Sequence, residues 1–159
     1  MEKGKHSLTW REKLEKEMLP ELVNVPPKWA TLIGKGRMLI PTPLLVDAAV
    51  RKIPKGKLAT VNGIRHYLAD ESGAYMTCPL TTGIFLNICA HAAEEDKING
   101  KKRITPYWRV LKEAGQLNPK FPGGIDQQAA YLKKEGFDIM TSKSGKRFFV
   151  KNYEQNVFY

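Results

Sequence analysis

Two cysteines, Cys78 and Cys89, are the natural candidates for a nucleophile in this chain. Cys78 precedes Pro79, where we expect a helix to begin, and a helix N-terminus lowers the pKa of a thiol. It lies far along the chain from the aromatic motif at Tyr107, so we interpret it as a capping or buried residue. Cys89 and His91 are two residues apart, and on a helix such residues point to different faces. The sequence predicts no cysteine–histidine pair.

A tyrosine, a tryptophan and an arginine follow one another at Tyr107, Trp108 and Arg109. A phenol has an ordinary pKa of about 10 and is a poor nucleophile at pH 7. An indole N–H donates a hydrogen bond but cannot take a proton as a general base. Two neighbouring rings can instead hold a flat ring by stacking, which contributes about 1–3 kcal/mol per base. The pair predicts base binding, with the alternative that one or both rings fill the core.

Other cofactor and metal chemistries need patterns that the sequence lacks. Three histidines and two cysteines are scattered without the spacing of a metal site, so we expect no metal. The Gly34-Lys35-Gly36 segment has no following helix and too few glycines for a phosphate or dinucleotide loop, so it predicts a turn. We therefore expect no cofactor.

The charge of the chain favours a polyanionic partner. Its 159 residues carry 26 Lys and Arg against 16 Asp and Glu, which gives a net charge of +10 at pH 7. Residues 101–159 hold 12 basic and 5 acidic groups, a local surplus of +7, so nucleic acid is the first candidate. No apolar stretch is long enough to span a bilayer and no apolar leader is present, so we expect a soluble, cytoplasmic protein of one domain.

Periodicity and capping residues predict a mainly helical domain. Residues 44–53 have one apolar face and end before Pro54. Thr60 is a candidate cap for a second helix that runs to about residue 69. A third helix is predicted to begin at Pro79. Its expected buried stripe consists of Leu80, Ile84, Ile88 and Ala92.

The ends of the chain carry weaker signals. The N-terminal arm is polar and interrupted by Pro20, which predicts a short surface helix at most, docked through Trp10, Leu14 and Leu19. In the last third, the pattern predicts a strand at 107–111, a helix capped by Asp126 and running to Glu135, and a hairpin of 137–141 with 147–150. The hairpin cations form either a solvated face or a basic wing, and they are Lys143, Lys146, Arg147 and Lys151.

Five segments resemble, in order and near the usual spacing, the DNA-binding domain of methylated-DNA–protein-cysteine methyltransferases and their alkyltransferase-like relatives. They are residues 53–60, 106–110, 115–117, 122–124 and 132–136, and the resemblance spans roughly 43–137. It implies a winged-helix-type domain whose recognition helix enters the minor groove and which flips an alkylated guanine out of the stack. In the active members, a cysteine then accepts the alkyl group.

Departures from the family motif predict that this reaction is absent. The active members carry Pro-Cys-His-Arg, whereas here Tyr107 matches the cysteine and Trp108 the histidine. Arg109 and Glu135 match the family's arginine and glutamate, and residues 122–124 match the loop that walls the base pocket. The resemblance thus implies no catalytic residue and a base pocket lined by Tyr107, Trp108, Arg109, Pro122, Gly123, Gly124 and Glu135.

The predicted recognition helix, residues 79–93, contains no lysine or arginine. The family's phosphate-rotating tyrosine falls near Val61 and its arginine finger near Pro79, and neither residue type is present. Phosphate neutralisation dominates non-specific affinity, so this helix would need cations from outside it. The candidate contacts on the helix are Thr81, Thr82, Gly83 and Asn87, unless these small residues only permit close packing. The supporting cations are Lys55, Lys57, Arg65, Lys101, Lys102 and Arg103.

The sequence thus predicts a mainly α, winged-helix-like (helix-turn-helix) domain at 43–137, with an arm at 1–42 and a β-hairpin extension at 138–159. We expect a non-catalytic alkyltransferase-like protein that binds double-stranded DNA, with an alkylated base as the candidate ligand, and that marks damage for a repair-protein partner. The alternatives are a protein-interaction module that keeps the fold without DNA binding, which the uncharged helix favours, and a residual methyltransferase.

Overall fold

Helices dominate residues 7–159, the part of the chain that this computed structural model describes. The helices are α1 (Trp10–Leu14), α2 (Pro27–Ile33), α3 (Pro43–Arg51), α4 (Val61–Ser72), α5 (Pro79–Ile98) and α6 (Gly124–Lys134). The strands are short: β1 (Glu21–Asn24), β2 (Arg37–Ile40), β3 (Ala59–Thr60), β4 (Met76–Thr77), β5 (Val110–Leu111), β6 (Ile139–Thr141) and β7 (Phe148–Val150). The mainly α prediction is confirmed. Within these residues, no helix is both long and apolar enough to cross a bilayer.

The predicted starts of the central helices are confirmed. The Thr60 hydroxyl accepts a hydrogen bond from the Gly63 N–H at 2.9 Å, so this residue caps α4. Pro79 occupies the first position of α5, where a missing N–H has no cost. Both signals are local, because they depend on residues within one turn of each other.

The predicted buried face of α5 is wrong at Leu80 and Ile84, whereas Ala92 is buried and Ile88 packs against the core as predicted. Leu80 is 63% exposed and Ile84 is 50% exposed, whereas Thr82 and Leu86 are buried. The first half of this helix is apolar on nearly every side, so its periodicity does not select the face that packs. The Thr82 hydroxyl is accommodated in the interior because it donates to the Cys78 carbonyl at 2.7 Å.

Two elements in the last third begin differently from the prediction. Asp126 does not cap α6: the helix begins at Gly124, and Gly123 before it has a φ of 72°, a left-handed conformation that favours glycine. The predicted strand at 107–111 is a 3₁₀ turn, Tyr107–Arg109, followed by β5. The hairpin is confirmed, with β6 antiparallel to β7 and Met140 opposite Phe149.

The N-terminal segment is more structured than its polar sequence predicts. Leu14 of α1 is buried and Trp10 stacks on His91 of α5 at 4.3 Å, but Leu19 is 84% exposed and does not dock. Strands β1 and β2 pair antiparallel, and β2 pairs in parallel with β4, with Leu39 opposite Thr77. Residues 21–40 therefore add two strands to the turn between α4 and α5. Residues 1–6 of the predicted arm lie outside the described residues.

The last residues return to the helical core. The Leu58 N–H donates to the Asn156 carbonyl at 2.9 Å, and Tyr159 stacks on Tyr67 with ring centroids 4.8 Å apart. A Cβ at Gly63 would overlap the Tyr159 carbonyl carbon, so this close approach requires glycine.

Candidate nucleic-acid interface

Glu135, at the end of α6, is the centre of a buried polar cluster. Its carboxylate accepts hydrogen bonds from Arg109 Nε at 3.0 and 3.1 Å, from the Gly56 N–H at 2.9 Å, and from the Trp108 indole N–H. The Arg109 side chain is 13% exposed and that of Glu135 is 7% exposed. Arg109 also donates to the Ile53 carbonyl at 2.7 Å. The cluster fixes the 3₁₀ turn relative to α3 and α6.

Two other side chains lie close to the Trp108 ring. Tyr131 of α6 stacks on it with centroids 4.2 Å apart and planes 13° from parallel, and the Arg109 guanidinium lies 5.7 Å from its centroid. Since one face is covered and the indole N–H is occupied by Glu135, little of this ring is free to stack on a base.

Tyr107 is fully buried, so in this conformation its ring cannot stack on a base. Its hydroxyl donates to Glu94 Oε1 of α5 at 2.8 Å, and Tyr131 donates to the same oxygen at 2.7 Å. The ring packs edge-on against Phe121, with centroids 5.2 Å apart. This is the core-filling alternative for Tyr107. Burial, and then the hydrogen bond to the Glu94 carboxylate, raise the pKa of Tyr107 well above its ordinary value, so the phenol stays neutral.

The cysteines also lie in inert surroundings. Both are buried, and Cys89 is fully enclosed in the core, where burial raises the pKa of its thiol. Among residues 7–159 no group of histidine, cysteine and carboxylate side chains could hold a metal ion. Both thiols are therefore enclosed by the fold, away from solvent.

The loop predicted to wall a base pocket lies at the start of α6. Gly123 is exposed and Pro122 half-buried, while Phe121 before them is buried against Tyr107. About three turns of helix, Gly124–Lys134, then lead to Glu135. Inside them, the fully buried Gln128 accepts from the Asn118 N–H at 2.7 Å and donates to the carbonyls of Trp108 and Val110 at 3.2 and 3.1 Å.

Two open cavities adjoin the exposed start of α5. One of about 560 Å³ lies between α5 and α1, and its lining includes Leu80, Ile84, Lys13 and Lys120. The other, of about 340 Å³, lies between α5 and the loops that follow β5. Its lining residues are Val61, Asn62, Gly83, Leu86, Lys112, Glu113, Asn118 and Lys120. Gly83 and Lys120 line both cavities, so one exposed surface, here called the α5 face, joins them.

The predicted contacts on α5 divide into available and unavailable side chains. Gly83 lies on the α5 face, Asn87 lines the larger cavity, and Thr81 is half-buried nearby. Thr82 is fully buried and cannot reach DNA, because it packs into the core one position away from the exposed face.

The predicted cations do not all gather on the α5 face. Lys55, Lys102 and Arg103 line a separate cavity of about 460 Å³ with Arg109 and Trp108. Lys101 pairs with Asp96 at 3.5 Å, and Lys57 is exposed beside Gly56. Arg65 donates to the Thr77 carbonyl at 3.0 Å and so binds α4 to β4.

Sequence reasoning missed four residues of this region: Glu94, Lys120, Gln128 and Tyr131. One signal was present, because Gln128 interrupts the apolar positions of α6 between Ile125 and Leu132. The contacts of Glu94 and Tyr131 depend on how α5 and α6 pack, which no local pattern reports.

The fold is that of the alkyltransferase-like proteins, as the resemblance in sequence predicts. The crystal structure of S. pombe Atl1 in complex with damaged DNA containing O6-carboxymethylguanine is similar to this chain with a TM-score of 0.53 and 21% identity. The structure of S. pombe ATL in complex with DNA gives a TM-score of 0.51 and 20% identity. Each comparison covers 74% of this chain and 94% of the other. No protein-family model and no curated protein sequence matches the chain.

The buried phenol makes a prediction about stability at alkaline pH. Because the pKa of Tyr107 is raised in the folded protein, the unfolded chain loses this proton first, above a pH of about 10. Stability should therefore fall as pH rises above that value. Tyr107→Phe should cost about 0.5–1.5 kcal/mol at pH 7 through the lost hydrogen bond, but its stability should fall less steeply with pH. Urea unfolding from pH 7 to 11 tests this.

Tyr159 is the internal control for that titration. Burial raises its pKa to about 12, so it contributes a similar slope in the parent and in the Phe variant. Equal slopes in the two proteins would contradict the assignment of the alkaline loss to Tyr107.

Proposed function

We propose that this chain is a non-catalytic, alkyltransferase-like protein that binds duplex DNA with its α5 face and accepts an altered base in the cavity beside Val61. The proposal depends above all on the fold shared with S. pombe Atl1, whose structure holds DNA with O6-carboxymethylguanine. In this proposal α4 and α5 act as the helix-turn-helix, and the exposed cations of the β6–β7 hairpin form the wing.

The charge around the α5 face supports the DNA part of the proposal. Residues 79–93 of α5 carry no formal charge, and within residues 7–159 the two cavities beside them are lined by Lys13, Lys112 and Lys120 against a single carboxylate, Glu113. Three lysines that each neutralise one phosphate would give a slope of log K against log salt of about −2.7. These residues take the role expected from Arg65 and Lys101, which are bound to neighbouring protein groups.

The smaller cavity supports the base-binding part. Val61 lies where the resemblance places the family's tyrosine, and it lines a space of about 340 Å³, within the usual range for small-molecule sites. Leu86 supplies an apolar wall, and Asn62 and Asn118 supply polar atoms that can pair with a base edge. The Trp108–Arg109–Glu135 cluster acts as a frame that holds the 3₁₀ turn and α6, and the base does not stack on Tyr107.

The residues at the motif support the absence of alkyl transfer. A protonated phenol that donates to Glu94 is a poor nucleophile at neutral pH, and Trp108 cannot act as its base. The alkyl group would therefore stay on the DNA. The protein would mark the altered base, and its removal would fall to a repair-protein partner.

The test compares duplexes that differ only in one guanine, unmodified or O6-alkylated, by fluorescence anisotropy across a salt series. We expect tighter binding to the alkylated duplex and a salt slope that Lys120→Gln reduces by about one. Lys133→Gln, an exposed lysine on α6, is the matched control and should leave the slope unchanged.

Two results would contradict the proposal in different ways. Absence of duplex binding, or binding without salt dependence, would favour the protein-interaction module. Label from an alkyl-labelled duplex that stays covalently on the protein would show that a methyltransferase activity remains.

A further inference from the structure

The first two turns of α5 present exposed aliphatic side chains where a DNA-facing helix usually has polar ones. We propose that Leu80 is an apolar wedge that enters the base stack of bound duplex DNA, with Ile84 behind it. The inference rests on the proposed function and adds how this chain opens the stack without a lysine or arginine in residues 79–93 of α5.

The exposure of these residues defines the wedge. Leu80 is 63% exposed and Ile84 50% exposed, and residues four apart lie on one side of a helix. Gly83 stands beside them with open space where a side chain would be. Because Gly83 has no side chain, Leu80 projects beyond the helix surface around it, and a flat base pair can approach it closely.

The surroundings of the wedge favour DNA as the occupant. Both side chains line the cavity of about 560 Å³ that also holds Lys13 and Lys120, and no carboxylate of the described part of the chain lines it. An apolar tip flanked by cations complements stacked bases flanked by phosphates. Proteins that bend DNA insert leucine or isoleucine between base steps in this way.

A side chain that enters the base stack must be held rigidly, and several contacts fix the start of α5. Pro79 fixes the first helical residue, and the buried Thr82 hydroxyl donates to the Cys78 carbonyl. The Cys78 N–H in turn donates to the Leu39 carbonyl of β2 at 2.8 Å. Insertion of Leu80 would therefore force the DNA to deform and leave the helix in place.

The experiment uses the full chain and a duplex that carries 2-aminopurine next to the alkylated guanine. Insertion should unstack the probe and raise its fluorescence. Leu80→Ala should weaken binding about tenfold or more, from the loss of a buried leucine contact, and should abolish the fluorescence rise. The salt slope should not change, because no charge is removed.

Two further variants separate the wedge from a fault in folding. Leu80→Met keeps an apolar side chain of similar reach and should retain the fluorescence rise. Ile98→Ala removes an exposed aliphatic side chain at the far end of α5 and should leave both readouts unchanged.

Binding by Leu80→Ala with parent affinity and the full fluorescence rise would overturn the wedge and leave the proposed function intact. Failure of the parent protein to bind any duplex would overturn both. Parent binding without a fluorescence rise, together with loss of affinity in Leu80→Ala, would also overturn it, because Leu80 would then contact the DNA without entering the stack.

Discussion

Glu135→Ala is expected to lower the free energy of unfolding by about 3–5 kcal/mol, because it leaves a nearly buried guanidinium without its carboxylate. The same change removes the acceptor for the Trp108 indole N–H and for the Gly56 N–H. Urea unfolding at pH 7 measures the loss. Glu113→Ala, which removes an exposed carboxylate, should change stability by less than about 0.5 kcal/mol.

A double-mutant cycle tests whether the loss comes from the pair. Arg109→Met combined with Glu135→Leu replaces both charges with apolar groups, which should destabilise less than the sum of the single changes. Additive losses would show that Arg109 and Glu135 contribute independently, and the description of the cluster as a charge-paired frame would be wrong.

Gln128→Leu is expected to cost about 3 kcal/mol, although the two side chains are similar in size. The amide of Gln128 pairs one part-buried N–H and two carbonyls, and each buried group left without a partner costs about 1–3 kcal/mol before the structure relaxes. The measurements are urea unfolding and hydrogen exchange at the Asn118 amide, which should lose protection.

Gln127→Leu is the matched control for that prediction. Gln127 is the neighbouring, half-buried position on α6, and the same substitution there should cost less than about 1 kcal/mol. Similar losses at the two positions would contradict a specific role of the Gln128 amide in fixing the strand after Trp108.

The parts of the fold that could be predicted depend on neighbours in sequence. Thr60 as the cap of α4 and Pro79 as the first residue of α5 are signals contained within a few residues, and both are confirmed. The exposed face of α5 could not be predicted in this way. Its first half is apolar all round, so only the packing of α1 and α3 against the helix decides that Leu80 faces solvent.

In the candidate site, too, some contacts could be predicted from the sequence and others depend on how distant parts of the chain pack. The family resemblance implies that Arg109 and Glu135 belong to one pocket, and the two side chains form an ion pair in the structure. The burial of Tyr107 could not be read from its motif, since it depends on Glu94 and Phe121, which approach from other parts of the chain. An aromatic residue beside a charged one has the same local pattern in a ligand pocket and in a core.

The pairing of β2 with β4 has a consequence for binding kinetics. Strand β2, residues 37–40, pairs with β4, which lies directly before α5. The Leu39 carbonyl of β2 also accepts a hydrogen bond from the Cys78 N–H. Reorienting α5 against α4 would break these backbone bonds, so the two helices meet a partner as one preorganised unit. Little conformational entropy is then lost on association, and selectivity between ligands should be expressed in how slowly the complex dissociates.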